Sequence, residues 1–293
     1  NSDYAFEIVK SNIDVVCLMC SDFQKYLSDY HYLSPSRSGN HDIKTALKNF
    51  QKFFGLPVTG ELDEETLYQM KKPRCGVPDV DENGGRLRIK RFSTWGKWRK
   101  TDLKYYLSFG EDMSEADQAR VMARAFQMWS AVASKPKFTR TLSVSNADFR
   151  ISFGKRKHSG VPGERQCYSD FDGKDKVLAH AFYPQDGRLH FDDDEYFTET
   201  GSWWNGSQSL LYVAVHEIGH ALGLRHSDVK GTVMWPTASR GTPKLHQDDI
   251  DGIRSLYGMW KALKKEVDWE VFSLLLARLN SVIDNLDTYF SGS

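Results

Sequence analysis

The chain has 293 residues, 40% of them hydrophobic and 13% aromatic, and its 39 basic side chains are balanced by 39 acidic ones. This composition supports a packed core and excludes a wholly disordered chain, and the length suits two domains. Charge is balanced along the chain as well as in total, which argues against a nucleic-acid partner, and no apolar run reaches the roughly 18 residues of a membrane-spanning helix.

The sequence begins at Asn1 with no charged segment leading into an apolar one. The nearest apolar run, Ile13 to Met19, is short and interrupted by Asp14, so no signal peptide is expected within it. Residues 21–72 read as short helices. From Thr45 to Phe54 the spacing puts Ala46, Leu47, Phe50, Phe53 and Phe54 on one helical face. The stretch Gly55-Leu56-Pro57-Val58-Thr59-Gly60 breaks that pattern, and a helix restarts over Asp63 to Met70. Residues 73–91 have linker character: Pro73, Gly76, Pro78, Asn83-Gly84-Gly85, then a basic run ending at Arg91. Arg88-Ile89-Lys90-Arg91 has the form Arg-x-Lys-Arg and directly precedes Phe92. It reads either as a protease recognition site or as a solvated basic loop.

Residues 92–258 change character. Leu103 to Phe109 alternates like a strand. Ser114 with Asp117 opens an amphipathic helix whose stripe is Val121, Ala125, Met128 and Val132. Strand-like runs follow at Phe149–Phe153, Val177–Tyr183 and Leu189–Phe191, then a helix from near Ser207 to Leu222 and another after Gln247-Asp248-Asp249 that stops at Gly258. Strands and helices without a repeating βαβ order imply α+β. Residues 259–293 form a third segment, an amphipathic helical tail striped by Leu263, Val267, Val271, Leu274, Leu279 and Leu286. The three segments are therefore 1–91, 92–258 and 259–293. Four cysteines (Cys17, Cys20, Cys75, Cys167) are too few for a disulfide framework, and Cys17-x-x-Cys20 alone is a weak signal for pairing or metal. Asn205-Gly206-Ser207 is a single glycosylation sequon.

The chemistry concentrates in Val215-His216-Glu217-Ile218-Gly219-His220-Ala221-Leu222-Gly223-Leu224-Arg225-His226. At i and i+4, His216 and His220 project from one helical face and can share one zinc ion. Glu217, next to the first ligand, can reach a water on that ion as a general base. Gly223 suits the left-handed turn that ends a helix and returns His226 as a third ligand. Three protein ligands leave one tetrahedral position open, the arrangement of a catalytic zinc. Downstream, Val233-Met234-Trp235-Pro236 sets a methionine before a turn, and with the long zinc motif Met234 reads as a Met-turn.

These residues resemble the matrix metalloproteinases of the metzincin clan. Pro73-Arg74-Cys75-Gly76-Val77-Pro78-Asp79 is similar to their cysteine-switch motif, and Phe50-Gln51-Lys52-Phe53-Phe54-Gly55-Leu56 with Thr59-Gly60 resembles their pro-domain. The resemblance covers residues 21 to 258. It implies a small helical pro-domain followed by a metzincin-type catalytic domain, a twisted, mostly parallel five-stranded sheet with three helices. It also implies a secreted zinc endopeptidase made as a zymogen. Cys75 would hold the open zinc position in the latent form, with Arg74 and Asp79 paired to shape its loop. Cleavage after Arg91 by a proprotein convertase would activate it. Tissue-inhibitor-type proteins would be partners, extracellular proteins or peptides the substrates, and the extracellular space or matrix, with its collagen breakdown, the setting. No haemopexin-like domain is expected after residue 258, which resembles the minimal-domain members and argues against cleavage of collagen fibrils. Ala238 stands where the family usually carries Tyr, so the shape of the specificity loop from Thr237 to Lys244 does not carry over.

The resemblance implies further metals. His158, His180 and His190 match three ligands of a structural zinc, but Gly160 replaces the usual Asp and the loop to Phe171-Asp172-Gly173 is longer. Cys167 and Asp170 are both open as a fourth ligand; the alternatives are a weak site or three solvated or core histidines. Asp172, Asp192 and Glu195, with carbonyls at Gly173, Asp175 and Val177, match the family's calcium site, whose hard oxygen donors suit that ion. Two readings follow: a latent zinc endopeptidase, or a non-catalytic secreted zinc-binding interaction protein on the same fold. The retained Glu217 favours the first.

Overall fold

The computed structural model describes residues 22–33, 42–80 and 94–258. The basic run ending at Arg91, the Cys17 and Cys20 pair and the segment 259–293 lie outside the described residues.

Among the described residues, the segment before Phe92, the leader, carries three helices: α1 (22–29), α2 (Ile43–Phe53) and α3 (Glu64–Met70). Aspartates start the second and third. Asp42 accepts from the Thr45 N–H at 2.9 Å and Asp63 from the Thr66 N–H at 2.8 Å, each satisfying a donor that the first helical turn leaves free. The predicted face of α2 turns inward, and Phe50, Phe53, Ala46 and Leu47 bury against Leu27, Tyr30 and Tyr32. Polar Gln51 sits within this apolar unit fully buried, yet its amide is satisfied. Nε2 donates to Thr59, Glu61 and Thr66 at 2.9–3.0 Å, and Oε1 accepts from the Gly60 N–H at 2.8 Å. That one side chain fixes the Gly55–Gly60 turn from inside.

The body carries β1 (Arg74–Cys75), β2 (Asp102–Leu107), α4 (Glu115–Val132), β3 (Lys137–Arg140), β4 (Phe149–Gly154), β5 (Val177–Ala181) and β6 (Arg188–Asp192), then β7 (Phe197–Thr198), β8 (Gln208–Ser209), α5 (Leu210–Leu222) and α6 (Gln247–Tyr257). The main sheet has the order β1-β5-β6-β4-β2-β3, and β7 with β8 forms a small second one. Strands β2, β3, β4 and β6 pair in parallel, while β5 runs antiparallel to β6. Five strands with α4, α5 and α6 are thus the α+β body that the family resemblance implies. The sixth strand, β1, comes from the leader and pairs in parallel with β5.

Along β2, Leu103, Tyr105 and Leu107 alternate into the core as the pattern requires. On α4, the predicted stripe widens to include Met122, Phe126 and Trp129, because the helix is covered by the sheet and by α5 together. Trp129 donates from Nε1 to the Val215 carbonyl at 2.9 Å, Trp98 to that of Ala221 at 2.8 Å, and the Tyr257 hydroxyl to that of Leu222 at 2.7 Å. Three aromatic donors, from α4, α6 and the segment before β2, therefore hold α5, the helix that carries the zinc motif.

Candidate active site and metal centres

Helix α5 is apolar almost all round because it runs through the core, and Ser209 caps it by accepting from the Tyr212 N–H at 3.1 Å. It ends at Gly223, whose φ of 110° is open to glycine and where a Cβ would collide with the Gly96 carbonyl. The chain then turns and returns His226 to the two helical histidines. Nε2 of His216 lies 3.1 Å from Nε2 of His220 and 3.2 Å from Nε2 of His226.

The second ring nitrogens decide what those distances mean. Nδ1 of His216 is 2.7 Å from the Val233 carbonyl, and Nδ1 of His220 is 2.7 Å from the Leu224 carbonyl. Nδ1 of His226 is 2.7 Å from Oδ1 of Asp79. Carbonyls and carboxylates only accept, so each Nδ1 carries its proton. Burial drives the imidazoles away from the charged form: His216 falls to about 3, helped by His226, and His220 falls well below its ordinary value. Three neutral rings therefore aim three bare lone pairs at one point, an arrangement that repels itself and that a shared cation resolves. Nitrogen donors with a tethered thiol suit zinc.

Cys75 belongs to the same buried group, with its sulfur and the three histidine nitrogens all within 4.8 Å of one another. Its thiol accepts from the Val77 N–H at 3.3 Å and is in hydrogen-bonding contact with Glu217. Burial raises both acids, the Cys75 thiol well above its usual range and Glu217 to about 8. The leader strand is bonded on both sides. The Arg74 N–H donates to the Lys176 carbonyl at 2.8 Å, Gly76 to Ala179 at 2.8 Å, Cys75 to Pro236 at 3.0 Å, and Ala238 back to Pro73 at 3.0 Å.

Arg74, 2% exposed, explains why this loop holds its shape. Its guanidinium lies 3.4 Å from the Tyr30 ring centroid and donates to the Tyr26 hydroxyl and to Oδ1 of Asp79, both at 2.6 Å. Asp79 also accepts from the Tyr32 hydroxyl at 2.8 Å. Burial alone would raise its pKa, but Arg74 and His226 hold it at about 2. Asp79 is thus shared between the leader's arginine and a histidine of the metal group.

Met234 lies beneath the histidines against Gly219, where a Cβ would collide with the methionine sulfur. Asp249 on α6 holds that turn, accepting from the N–H groups of Val233, Met234 and His246 at 2.9, 3.1 and 2.8 Å. Sequence reasoning gave Gly219 and Asp249 no role. The trace of Asp249 in the sequence is its third position in α6, where it closes a capping box with His246.

His158, His180 and His190 also meet. Nδ1 of His190 lies 3.0 Å from Nε2 of His158 and 3.1 Å from Nε2 of His180. The antiparallel register makes His180 and His190 direct cross-strand partners, and His158 arrives from the loop after β4. Of the two candidates for a fourth ligand, Cys167 is buried within the group and Asp170 is exposed outside it.

The acidic residues gather around the turn between β6 and β7. The Asp175 N–H donates to Oε1 of Glu195 at 2.6 Å, Val177 to Oδ1 of Asp172 at 3.0 Å, and Gly173 to Asp192. Burial raises Asp192 to about 6 and Glu195 to about 7, and Oδ2 of the first and Oε2 of the second have no hydrogen-bond partner. Buried, unpartnered carboxylate oxygens beside turn backbone fit a hard cation such as calcium.

Comparison with known proteins gives the family. Residues 97–258 match the Matrixin peptidase family, and residues 21–70 match a family described as a peptidoglycan binding domain. Neutrophil collagenase of Homo sapiens is 43% identical over 249 residues, which is 80% of this chain and 49% of the relative. Interstitial collagenase of Oryctolagus cuniculus is 41% identical over 249 residues, 80% of this chain and 48% of the relative. Matrix metalloproteinase-19 of Homo sapiens is 38% identical over 241 residues, 80% and 44% respectively. The chain spans about half the length of the curated relatives it matches. With more than half of its residues matching one family of zinc-dependent peptidases, and relatives above two-fifths identity, the chain belongs to the matrixins.

Proposed function

We propose that this chain is a latent zinc endopeptidase that cleaves extracellular proteins once its leader is removed. The observation that carries the reading is the group of His216, His220 and His226, three bare lone pairs converging beside a buried thiol and a buried carboxylic acid. The three histidines would hold zinc, and the Cys75 sulfur would join them while the leader is in place. Bound zinc supplies a Lewis acid that polarises the scissile carbonyl and makes water nucleophilic near neutral pH. Glu217 takes the proton of the attacking water and hands it to the leaving amine. The substrate lies extended along the edge of β5, in the groove that the leader residues 73–76 fill in the latent form.

Cleavage after Arg91 by a proprotein convertase separates the leader, and tissue-inhibitor-type proteins are the matching inhibitors. The protein is secreted to the extracellular matrix. His158, His180 and His190 hold a structural zinc. Asp172, Asp192 and Glu195, with the backbone of Gly173, Asp175 and Val177, hold calcium. Nothing favours the non-catalytic alternative, since the acid that such a protein would not need stands beside the histidines. The decisive experiment is Glu217→Ala in the processed protein: peptide cleavage disappears while zinc content is unchanged. Cleavage at the wild-type rate would overturn the mechanism.

A further inference from the structure

We infer that Cys167 is the fourth ligand of the second metal centre, which makes it a thiolate-bearing zinc site of three histidines and one cysteine. This deepens the proposed reading and rests on the assignment of a structural zinc to that cluster. Cys167 is free and 3% exposed, and its sulfur lies 3.4 Å from Nε2 of His180. All four donor atoms lie within 4.8 Å of one another.

The ring nitrogens again imply a cation. Nδ1 of His158 is 2.9 Å from the Arg156 carbonyl, so it keeps its proton and Nε2 is bare. Nε2 of His190 faces the Glu164 carboxylate at 3.8 Å, so Nδ1 is the nitrogen that its ring turns into the cluster. That nitrogen is 3.0 Å from Nε2 of His158.

Position 160 itself supplies no carboxylate, and Glu164 occupies the space beside it. At Gly160 a Cβ would collide with the Glu164 carboxylate and would approach Nε2 of His190 at 2.9 Å. Glu164 is itself held by Arg150 and turned toward His190. The other nearby acid, Asp170, is exposed. The longer loop instead folds back on itself. Ser159 bridges to Gln166, and the Cys167 N–H donates to the His158 carbonyl at 2.8 Å, which sets the thiol beside the first histidine. Glu164 thus orients a ligand from behind while Cys167 supplies the anionic donor. A soft sulfur donor selects zinc against the hard cations that a carboxylate also accepts.

The test uses the full chain carrying Cys75→Ser, so that the thiol of the first cluster contributes nothing, with and without Cys167→Ser. Both are loaded with cobalt(II), and zinc retained after dialysis against a chelator is counted. Thiolate-to-cobalt charge-transfer absorption is expected in the Cys75→Ser chain and lost with Cys167→Ser, while retained zinc falls from about two to about one per chain. Cys167→Asp should lose the absorption and recover part of the zinc, which separates a ligand from a packing residue. Identical spectra and zinc content with and without Cys167 would overturn the inference. Peptide cleavage by the Cys75→Ser chain is followed in parallel. Cleavage with identical spectra sinks the thiolate ligand and leaves the peptidase; the thiolate signal without cleavage sinks the peptidase and leaves the ligand.

Discussion

The two histidine clusters are built on opposite principles. In the first, His216 and His220 come from consecutive turns of α5 and His226 from the chain just past Gly223, so one short stretch supplies every nitrogen. Backbone carbonyls of Val233 and Leu224 fix two of the rings, and the sulfur arrives on a separate leader strand. In the second, His180 and His190 meet across an antiparallel register and His158 and Cys167 arrive on one folded loop. The first cluster is encoded by helical period and the second by topology. The first takes its sulfur from the segment before Phe92, whereas the second takes its sulfur from within residues 94–258.

The largest expected effect tests whether the first cluster alone is catalytic. Glu217→Gln in the processed protein should lower kcat by about 10²- to 10⁴-fold, the usual contribution of a positioned general base, with metal content unchanged by elemental analysis. A similar loss from Glu164→Gln, the acid behind the second cluster, would erase the distinction.

Next in size is the buried pair that ties the leader to the first cluster. Asp79→Ala leaves Arg74 charged and unpaired at 2% exposure, which should cost about 3–5 kcal/mol in denaturant unfolding of the uncleaved chain. The uncleaved chain should also gain peptidase activity, as Cys75→Ser should by removing the sulfur itself. A silent Asp79→Ala would mean that the leader is held elsewhere.

Calcium probes the body that carries the second cluster. At about 100 times its dissociation constant, calcium should add about 2.7 kcal/mol to stability, read as a melting temperature that rises with calcium. Asp192→Asn should flatten that dependence. The smallest effect concerns Trp235, whose ring centroid lies 5.3 Å from that of Phe54 and 6.2 Å from that of Phe53 in the leader. Trp235→Ala should weaken leader docking by about 0.5–1.5 kcal/mol, seen as faster proteolysis of the uncleaved leader.

The same contrast explains what could be read from the sequence. Helix α5, its glycine stop and the returning His226 were legible because spacing along a helix fixes direction in space. The face of α2 and the Ser114 cap of α4 were legible for that reason too. Strand β3 was missed because Lys137–Arg140 is a short, mostly exposed and polar edge, without the alternation that marks a half-buried strand. Strand β1 was missed because two residues after a proline carry no period, and they become a strand only by docking on β5. The tyrosines around Arg74, the carboxylate of Asp249 beneath the Met-turn and the thiol of Cys167 depend on contacts far apart in sequence. Local pattern alone leaves Asp249 as a helix cap and Cys167 as one of two candidate ligands, and only the fold shows what each touches.

The leader strand also shows how little the groove can admit. It lies between β5 on one side and residues 236–238 on the other and is bonded to both, so the groove has the width of one fully stretched backbone. A compact domain cannot enter such a slot intact. On the proposed reading, a protein substrate must first surrender a loop, a frayed end or a locally unwound stretch, so susceptibility should follow the substrate's local looseness as much as its side chains.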